Sequence, residues 1–68
     1  TEEPLTVTEI IVLKELSTGM TNEEICADLN LKLTTVKGHI YSIYKKLGVK
    51  SRVQALLIGR ERGLLRGE

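Results

Sequence analysis

Apolar side chains recur along this chain at the three- and four-residue steps of an α-helix. The longest series lies mid-chain and consists of Val36, Ile40, Ile43 and Leu47. At about 100° per residue these side chains point in nearly one direction, which predicts one buried helical stripe. Shorter series of the same kind precede it, namely Leu13 and Leu16, then Ile25, Cys26 and Leu29. No stretch alternates apolar and polar residues as a half-buried strand would, so the pattern predicts an all-α fold.

Start and stop signals divide this pattern into helices. In a capping box a hydroxyl accepts from an orphan backbone N–H, and the acid or amide three residues on reaches back. Three segments fit it: Thr6 to Glu9, Thr21 to Glu24 and Ser51 to Gln54. Residues suited to a left-handed helix end are Gly19, Asn30, Gly48 and Gly63. We therefore predict helices at about residues 7–18, 22–29, 33–47 and 52–62.

The length of the chain limits its function. With 68 residues it forms one small domain, residues 1–68, which has no room for an enzyme cleft. A hydrophobic fraction of 41% argues against disorder. There is no long apolar run, no signal-like amino terminus and only one cysteine, which cannot form an internal disulfide. These features predict a cytoplasmic protein that does not bind a membrane.

Charge is divided unevenly along the chain, although the net charge is only +1. Residues 1–31 hold seven acidic residues and one lysine, whereas residues 32–68 hold nine basic and two acidic residues. A solvated, charge-balanced surface would explain these totals. The position of the basic residues on the third predicted helix favours a polyanionic partner instead.

The outer side of the third predicted helix carries hydrogen-bond donors. Opposite the apolar stripe lie Thr34, Gly38, Tyr41, Ser42 and Lys45, flanked by Lys37 on one side and by Thr35, His39 and Lys46 on the other. No acidic residue occurs from Lys32 to Lys50, whereas a solvated helix face usually mixes charges. Glycine at position 38 costs up to about 1 kcal/mol relative to alanine. Position 38 is either neutral or one where the backbone approaches a DNA groove. The donors of the face as a whole can bind phosphates and base edges, which accept hydrogen bonds.

The sequence contains no constellation for catalysis or metal binding. His39 is the only histidine, no carboxylates cluster near it, and Cys26 occupies a core-facing position. There is also no glycine-rich phosphate loop. We therefore expect no enzyme activity, no metal and no cofactor.

A further set of residues extends over nearly the whole chain without gaps. It comprises Leu5-Thr6 with Glu9, Gly19, Asn22, Glu24-Ile25, Leu29, the run Thr35 to Ile40, the run Lys46 to Val49, Ser51-Arg52 and Gln54-Ala55. These residues resemble the carboxy-terminal DNA-binding domain of LuxR-type bacterial transcription regulators. Thr34 to Lys37 and Ile43 to Leu47 are most similar to the large ATP-dependent branch typified by MalT.

The resemblance implies a four-helix fold in which the second and third helices form a helix-turn-helix and the third enters the major groove of DNA. The expected function is sequence-specific binding of double-stranded DNA as the output domain of a longer regulator, with RNA polymerase as a candidate further partner. The base-facing positions implied by relatives, with Thr34 added from the outer face, are Thr34, Lys37, Gly38 and Tyr41. The phosphate-facing positions, with Ser42 added likewise, are Asn22, Thr35, His39, Ser42, Lys45 and Lys46.

Several positions depart from the family's pattern. Lys32 stands where a serine or threonine would cap the recognition helix, so we expect a weak cap there. Gly38 and Tyr41 replace side chains that donate to bases in relatives, and base preference cannot be carried over. Ile10 and Ile11 replace residues that are usually charged. They form either one core contact and one exposed side chain or a contact patch for another domain.

The fourth predicted helix is apolar around most of its circumference, which one core-facing side does not require. One face packs inward, and the other either overfills the core or forms a homodimer on DNA, as the resemblance implies. The candidate dimer residues are Val53, Leu56, Leu57, Ile58 and Gly59, the last easing close approach. An alternative of a different class stays open, a helix-turn-helix-shaped interaction or dimerisation module that does not use DNA.

Overall fold

The computed structural model describes residues 4–65, so Glu2, Glu3, Arg66 and Glu68 of the charge division lie outside the described residues. The described part holds four helices and no strand. The helices are α1 Val7–Ser17, α2 Asn22–Leu29, α3 Leu33–Leu47 and α4 Arg52–Glu61. The predicted all-α, four-helix fold is confirmed, and α1 and α4 each end one residue earlier than predicted.

Side chains satisfy the first backbone N–H groups of three helices. At α1 the Thr6 hydroxyl accepts from the Glu9 N–H at 3.1 Å, and the Glu9 carboxylate accepts from the Thr6 N–H at 2.9 Å. Thr21 and Glu24 repeat this reciprocal pair at α2. These two capping boxes explain why both helices begin where the sequence predicts.

The capping box predicted at α4 is only half formed. The Ser51 hydroxyl accepts from the Gln54 N–H at 3.2 Å, as predicted. The Gln54 side-chain oxygen, however, accepts from the Lys50 N–H at 2.9 Å instead of reaching the Ser51 N–H. Both N–H groups precede the helix and have no partner within it, so the amide can satisfy either one.

Left-handed residues end the helices and set the turns between them. Asn30 closes α2 with φ 56° and ψ 47°, and the next N–H, of Leu31, donates to the Cys26 carbonyl at 3.0 Å. Gly48 closes α3 with φ 71°, and the Val49 N–H donates to the Tyr44 carbonyl at 2.9 Å. The turn after Asn30 is short enough to hold α2 and α3 as one unit.

One core holds the four helices together. α1 packs against α3 and α4, and α2 packs against α3. The predicted stripe of α3 contributes to this core, with Val36, Ile43 and Leu47 buried and Ile40 half-buried against them. The other buried apolar residues are Val12, Leu13, Leu16, Ile25, Ala55 and Leu65. The buried stripe leaves the opposite side of α3 facing solvent.

For Ile10 and Ile11 the sequence offered one core contact and one exposed side chain, and the structure agrees only in part. Ile11 is exposed, while Ile10 is half-buried. Val7, one turn before Ile11, is also exposed. The buried side of α1 is formed by other residues, mainly Val12, Leu13 and Leu16.

One carboxyl group of α1 lies in an unfavourable position. Glu15 Oε1 is buried and has no hydrogen-bond partner among the described residues. Burial, and then the neighbouring carboxylate of Asp28 on α2, raises the pKa of Glu15 from its ordinary value of 4.5 to about 7. The sequence did not indicate this pair, because the two residues lie thirteen positions apart on different helices.

Candidate nucleic-acid interface

The outer face of α3 is open to solvent along its length. All four residues predicted to face bases, Thr34, Lys37, Gly38 and Tyr41, are exposed. The Tyr41 side chain is 71% exposed. A Cβ atom added to Gly38 would meet nothing within 4 Å, so no internal packing requires glycine at this position.

The first turn of α3 lacks a side-chain cap, as the sequence predicts. Lys32 is the N-cap residue, with extended backbone angles of φ −75° and ψ 153°, and it makes no side-chain cap hydrogen bond. Among residues 4–65, the first backbone N–H groups of α3 therefore have no capping side chain, and no acidic residue lies in the first turn.

One residue assigned to the outer face and one assigned to its flank bond to α1 instead. The Ser42 hydroxyl donates to Glu9 Oε2 at 2.5 Å, and the Lys46 ammonium donates to Glu9 Oε1 at 2.8 Å. Lys46 Nζ also donates to the Pro4 carbonyl at 3.4 Å. Both side chains are half-buried, so the outer-face placement of Ser42 is wrong, and Lys46 already has a carboxylate partner. The helical period gives their direction correctly, but it does not reveal that α1 packs on that flank.

The Glu9 carboxylate joins α1 to α3 in its charged form. Only 4% of Glu9 is exposed, and burial by itself would raise its pKa. Hydrogen bonds from Lys46, Ser42 and the Thr6 backbone outweigh burial and lower the pKa to about 2. Sequence reasoning found Glu9 only as a capping residue, since its α3 partners lie 33 and 37 positions away.

The remaining residues predicted to contact phosphates lie around the exposed face. Thr35 and Lys45 are exposed on α3, and His39 is half-buried on the same helix. Asn22 is half-buried in the first turn of α2. All four are therefore at least partly accessible to a partner, three on α3 and one on α2.

Arg52 has a structural role that the sequence reasoning missed. Its guanidinium donates to the Leu16 carbonyl at 3.0 Å and to the Met20 carbonyl at 2.6 Å, which satisfies acceptors at the end of α1. The same guanidinium lies near Tyr44, where burial raises the pKa of the hydroxyl more than Arg52 lowers it. Arg52 thus connects the start of α4 to the end of α1.

The dimer candidates on α4 separate into two groups. Val53 and Leu57, one turn apart, are 68% and 53% exposed, whereas Leu56 and Ile58 are half-buried against the core. Gly59 is buried, and an added Cβ would lie 3.2 Å from Leu13 Cδ2. The expectation that Gly59 eases the approach of a partner helix is therefore wrong, because its missing side chain makes room for α1.

Residues 4–65 hold neither a metal-binding cluster nor a membrane-spanning helix. No group of three or more histidine, cysteine or acidic residues in this range could hold a metal ion. None of the described helices is both long and apolar enough to cross a membrane.

The arrangement of α2 and α3 defines a class of domain. A short helix, a turn at residues 30–32 and a longer helix with one exposed polar face are the parts of a helix-turn-helix motif. Residues 3–58 match the family described as bacterial regulatory proteins, luxR family. The chain belongs to this family, and the family predicted from the sequence is confirmed.

Known proteins of similar sequence are regulators of transcription. The chain is 42% identical over 64 residues to the transcriptional regulatory protein YdfI of Bacillus subtilis, which covers 94% of the chain and 30% of YdfI. It is 43% identical over 53 residues to the regulator MalT of Klebsiella pneumoniae, covering 78% of the chain and 6% of MalT. A MalT protein is thus among the relatives, at an identity close to that of YdfI.

A solved structure has the same fold. The response regulator ChrA of a heme-sensing two-component system superposes with a TM-score of 0.89 at 36% identity, covering 94% of this chain and 32% of that one. The chain therefore spans less than a third of the length of these relatives.

Proposed function

We propose that this domain binds double-stranded DNA sequence-specifically as the output domain of a bacterial transcription regulator, with α3 in the major groove. The observation that carries the proposal is the exposed face of α3, which displays hydrogen-bond donors and the exposed lysines Lys37 and Lys45 with no acidic residue between them. Chromosomal DNA as the partner implies that the domain works in the bacterial cytoplasm.

The residues of this face fall into two roles. Thr34, Lys37, Gly38 and Tyr41 form the row that would meet base edges, with Gly38 allowing the backbone close to the groove. Asn22, Thr35, His39 and Lys45 surround that row and would meet phosphates, which fix the position of a helix on DNA. Ser42 and Lys46 support α3 through Glu9 and contribute to the DNA contact indirectly.

Selection of bound duplexes from a random pool, at a stated salt concentration, tests the proposal directly. A selected site should bind more tightly than random duplex, and its affinity should fall steeply with salt because phosphate contacts release counterions. An affinity that does not change between low and moderate salt would contradict the proposal. A palindrome among the selected sites would also give the half-site spacing.

Substitution of Lys37 tests the role of a single side chain. If Lys37 contacts a base, Lys37→Ala should cost about 1–3 kcal/mol on the selected site and relax the preference at one position. If it contacts only phosphate, all sequences should weaken alike. Lys14→Ala, the same change on α1, is the matched control and should leave binding nearly unchanged. Equal effects of the two substitutions would exclude Lys37 from the interface.

The exposed pair Val53 and Leu57 favours a homodimer through α4, which is compatible with DNA binding. It also supports the alternative function, an interaction module that keeps the helix-turn-helix shape without using DNA. Charge reversal at Lys37 and Lys45 separates the two. The proposal is supported if the charge-reversed variant loses DNA binding but still dimerises. The alternative is supported if the wild-type chain and the variant both dimerise and neither binds DNA.

A further inference from the structure

A cavity lies beside the outer face of α3, at the carboxyl end of the helix. Its volume is about 350 Å³, and its lining residues are Tyr41, Tyr44, Lys45, Val49 and Lys50. We call it the terminal cavity. Three of its residues were not assigned to the DNA interface from the sequence, namely Tyr44, Val49 and Lys50. Two others, Tyr41 and Lys45, belong to the proposed DNA-binding face, so the cavity and that face are continuous.

The lining of the terminal cavity has a half-buried apolar floor and an exposed rim that carries two lysines. Val49 and Tyr44 are half-buried and supply apolar surface, while Tyr41, Lys45 and Lys50 are exposed. None of the lining residues is acidic. The backbone N–H of Lys50 donates to the side-chain oxygen of Gln54 on α4, which holds the Lys50 backbone against that helix. The Lys50 side chain remains exposed.

We propose that the terminal cavity holds one backbone phosphate of the DNA, with its deoxyribose, next to the stretch whose bases α3 contacts. The inference rests on the proposed function and extends it beyond the recognition helix. The two ammonium groups suit the phosphate, and the ring and valine surfaces suit the sugar. A nucleotide of the duplex fits this mixture better than a free anion, which would leave the apolar floor uncovered. Lys50 is thereby the additional DNA-contacting residue.

Removal of the Lys50 charge is the first test, with the 68-residue chain and the selected duplex. Lys50→Ala should weaken binding to selected and random duplexes by the same factor and reduce the slope of log affinity against log salt by about 0.9, the value for one phosphate. Lys50→Arg should keep the slope, and Lys14→Ala should leave it unchanged. A wild-type slope in Lys50→Ala, or an effect confined to the selected sequence, would overturn the inference.

Duplexes with a single neutral methylphosphonate locate the contact. At one backbone position, the methylphosphonate should weaken binding of the wild-type chain but not of Lys50→Ala. The neutral phosphonate and the substitution remove the same interaction, so their effects should not add. Additive losses at every position would contradict the cavity contact while leaving DNA binding by α3 intact. If the wild-type chain binds no duplex at all, the proposed function fails and the inference fails with it.

Discussion

Among single residues, Glu9 joins α1 to α3 through two side-chain hydrogen bonds. Its two carboxylate oxygens accept from Ser42 and Lys46, one turn apart on α3, while one of them also caps its own helix. The Lys46 side chain is 17% exposed and that of Glu9 5%, so the ion pair is shielded from solvent. A shielded pair of this kind contributes to orientation more clearly than to stability.

Glu9→Gln should lower the free energy of unfolding at neutral pH by about 3 kcal/mol. The amide keeps the size of the side chain but leaves the Lys46 ammonium without a counter-charge, which is costly in a shielded site. Denaturant unfolding followed by circular dichroism measures the change. Glu61→Gln, the same substitution at an exposed position of α4, should stay within about 0.5 kcal/mol of wild type. Equal stabilities of the two variants would show that the ion pair is unimportant.

At the scale of elements, the sequence predicts what local chemistry determines. The helix boundaries were predictable because their signals act within four residues of the helix ends. These signals are the caps at Thr6 and Thr21 and the left-handed residues Asn30 and Gly48. The exposed row of α3 was predictable too, because a buried stripe leaves its opposite side free.

The misplaced residues depend on contacts between elements. A helical period gives the direction of Ser42 around its own axis, but the partner on that flank is 33 positions away. Gly59 was assigned to a partner helix for the same reason, since the apolar circumference of α4 does not reveal which side meets α1. Arg52 bonds to carbonyls 36 and 32 positions away, and no local signal indicates them.

The two helical glycines of α3 and α4 should respond differently to alanine. Gly38→Ala should stabilise the free chain by about 0.5–1 kcal/mol, because alanine favours helix and the new methyl group meets open space. Gly59→Ala should gain less or lose, since its methyl group lies 3.2 Å from Leu13 Cδ2 and that side chain must shift. Thermal unfolding of both variants measures the difference.

Gly38→Ala should also weaken binding of the selected duplex while it stabilises the protein. Opposite signs in stability and affinity would show that glycine is needed for close approach to the groove. If the variant bound DNA as tightly as wild type, Gly38 would be a neutral position of the helix. Gly59→Ala serves as the control here, because the buried position 59 lies away from the exposed face.

For the whole molecule, two carboxyl groups of α1 give stability opposite dependences on pH. Glu9 has a lowered pKa of about 2, so its contribution is present above 4.5 and is lost as pH falls toward 2. Glu15 has a raised pKa of about 7, so its contribution is present below 4.5 and is lost as pH rises toward 7. The combined contribution of these two groups to the free energy of unfolding should therefore be greatest near pH 4.5.

Glu15→Gln should remove the alkaline side of this profile. The wild-type chain is expected to lose on the order of 1–3 kcal/mol between about pH 4.5 and pH 7, because the half-buried Glu15 carboxyl must ionise beside Asp28. Urea midpoints measured across this range should fall for wild type and stay level for Glu15→Gln. Asp28→Asn should keep the fall but reduce it, since burial of Glu15 remains when the neighbouring charge is removed. Parallel profiles for wild type and Glu15→Gln would mean that Glu15 ionises freely in the fold, and the α1–α2 contact would then be insensitive to pH.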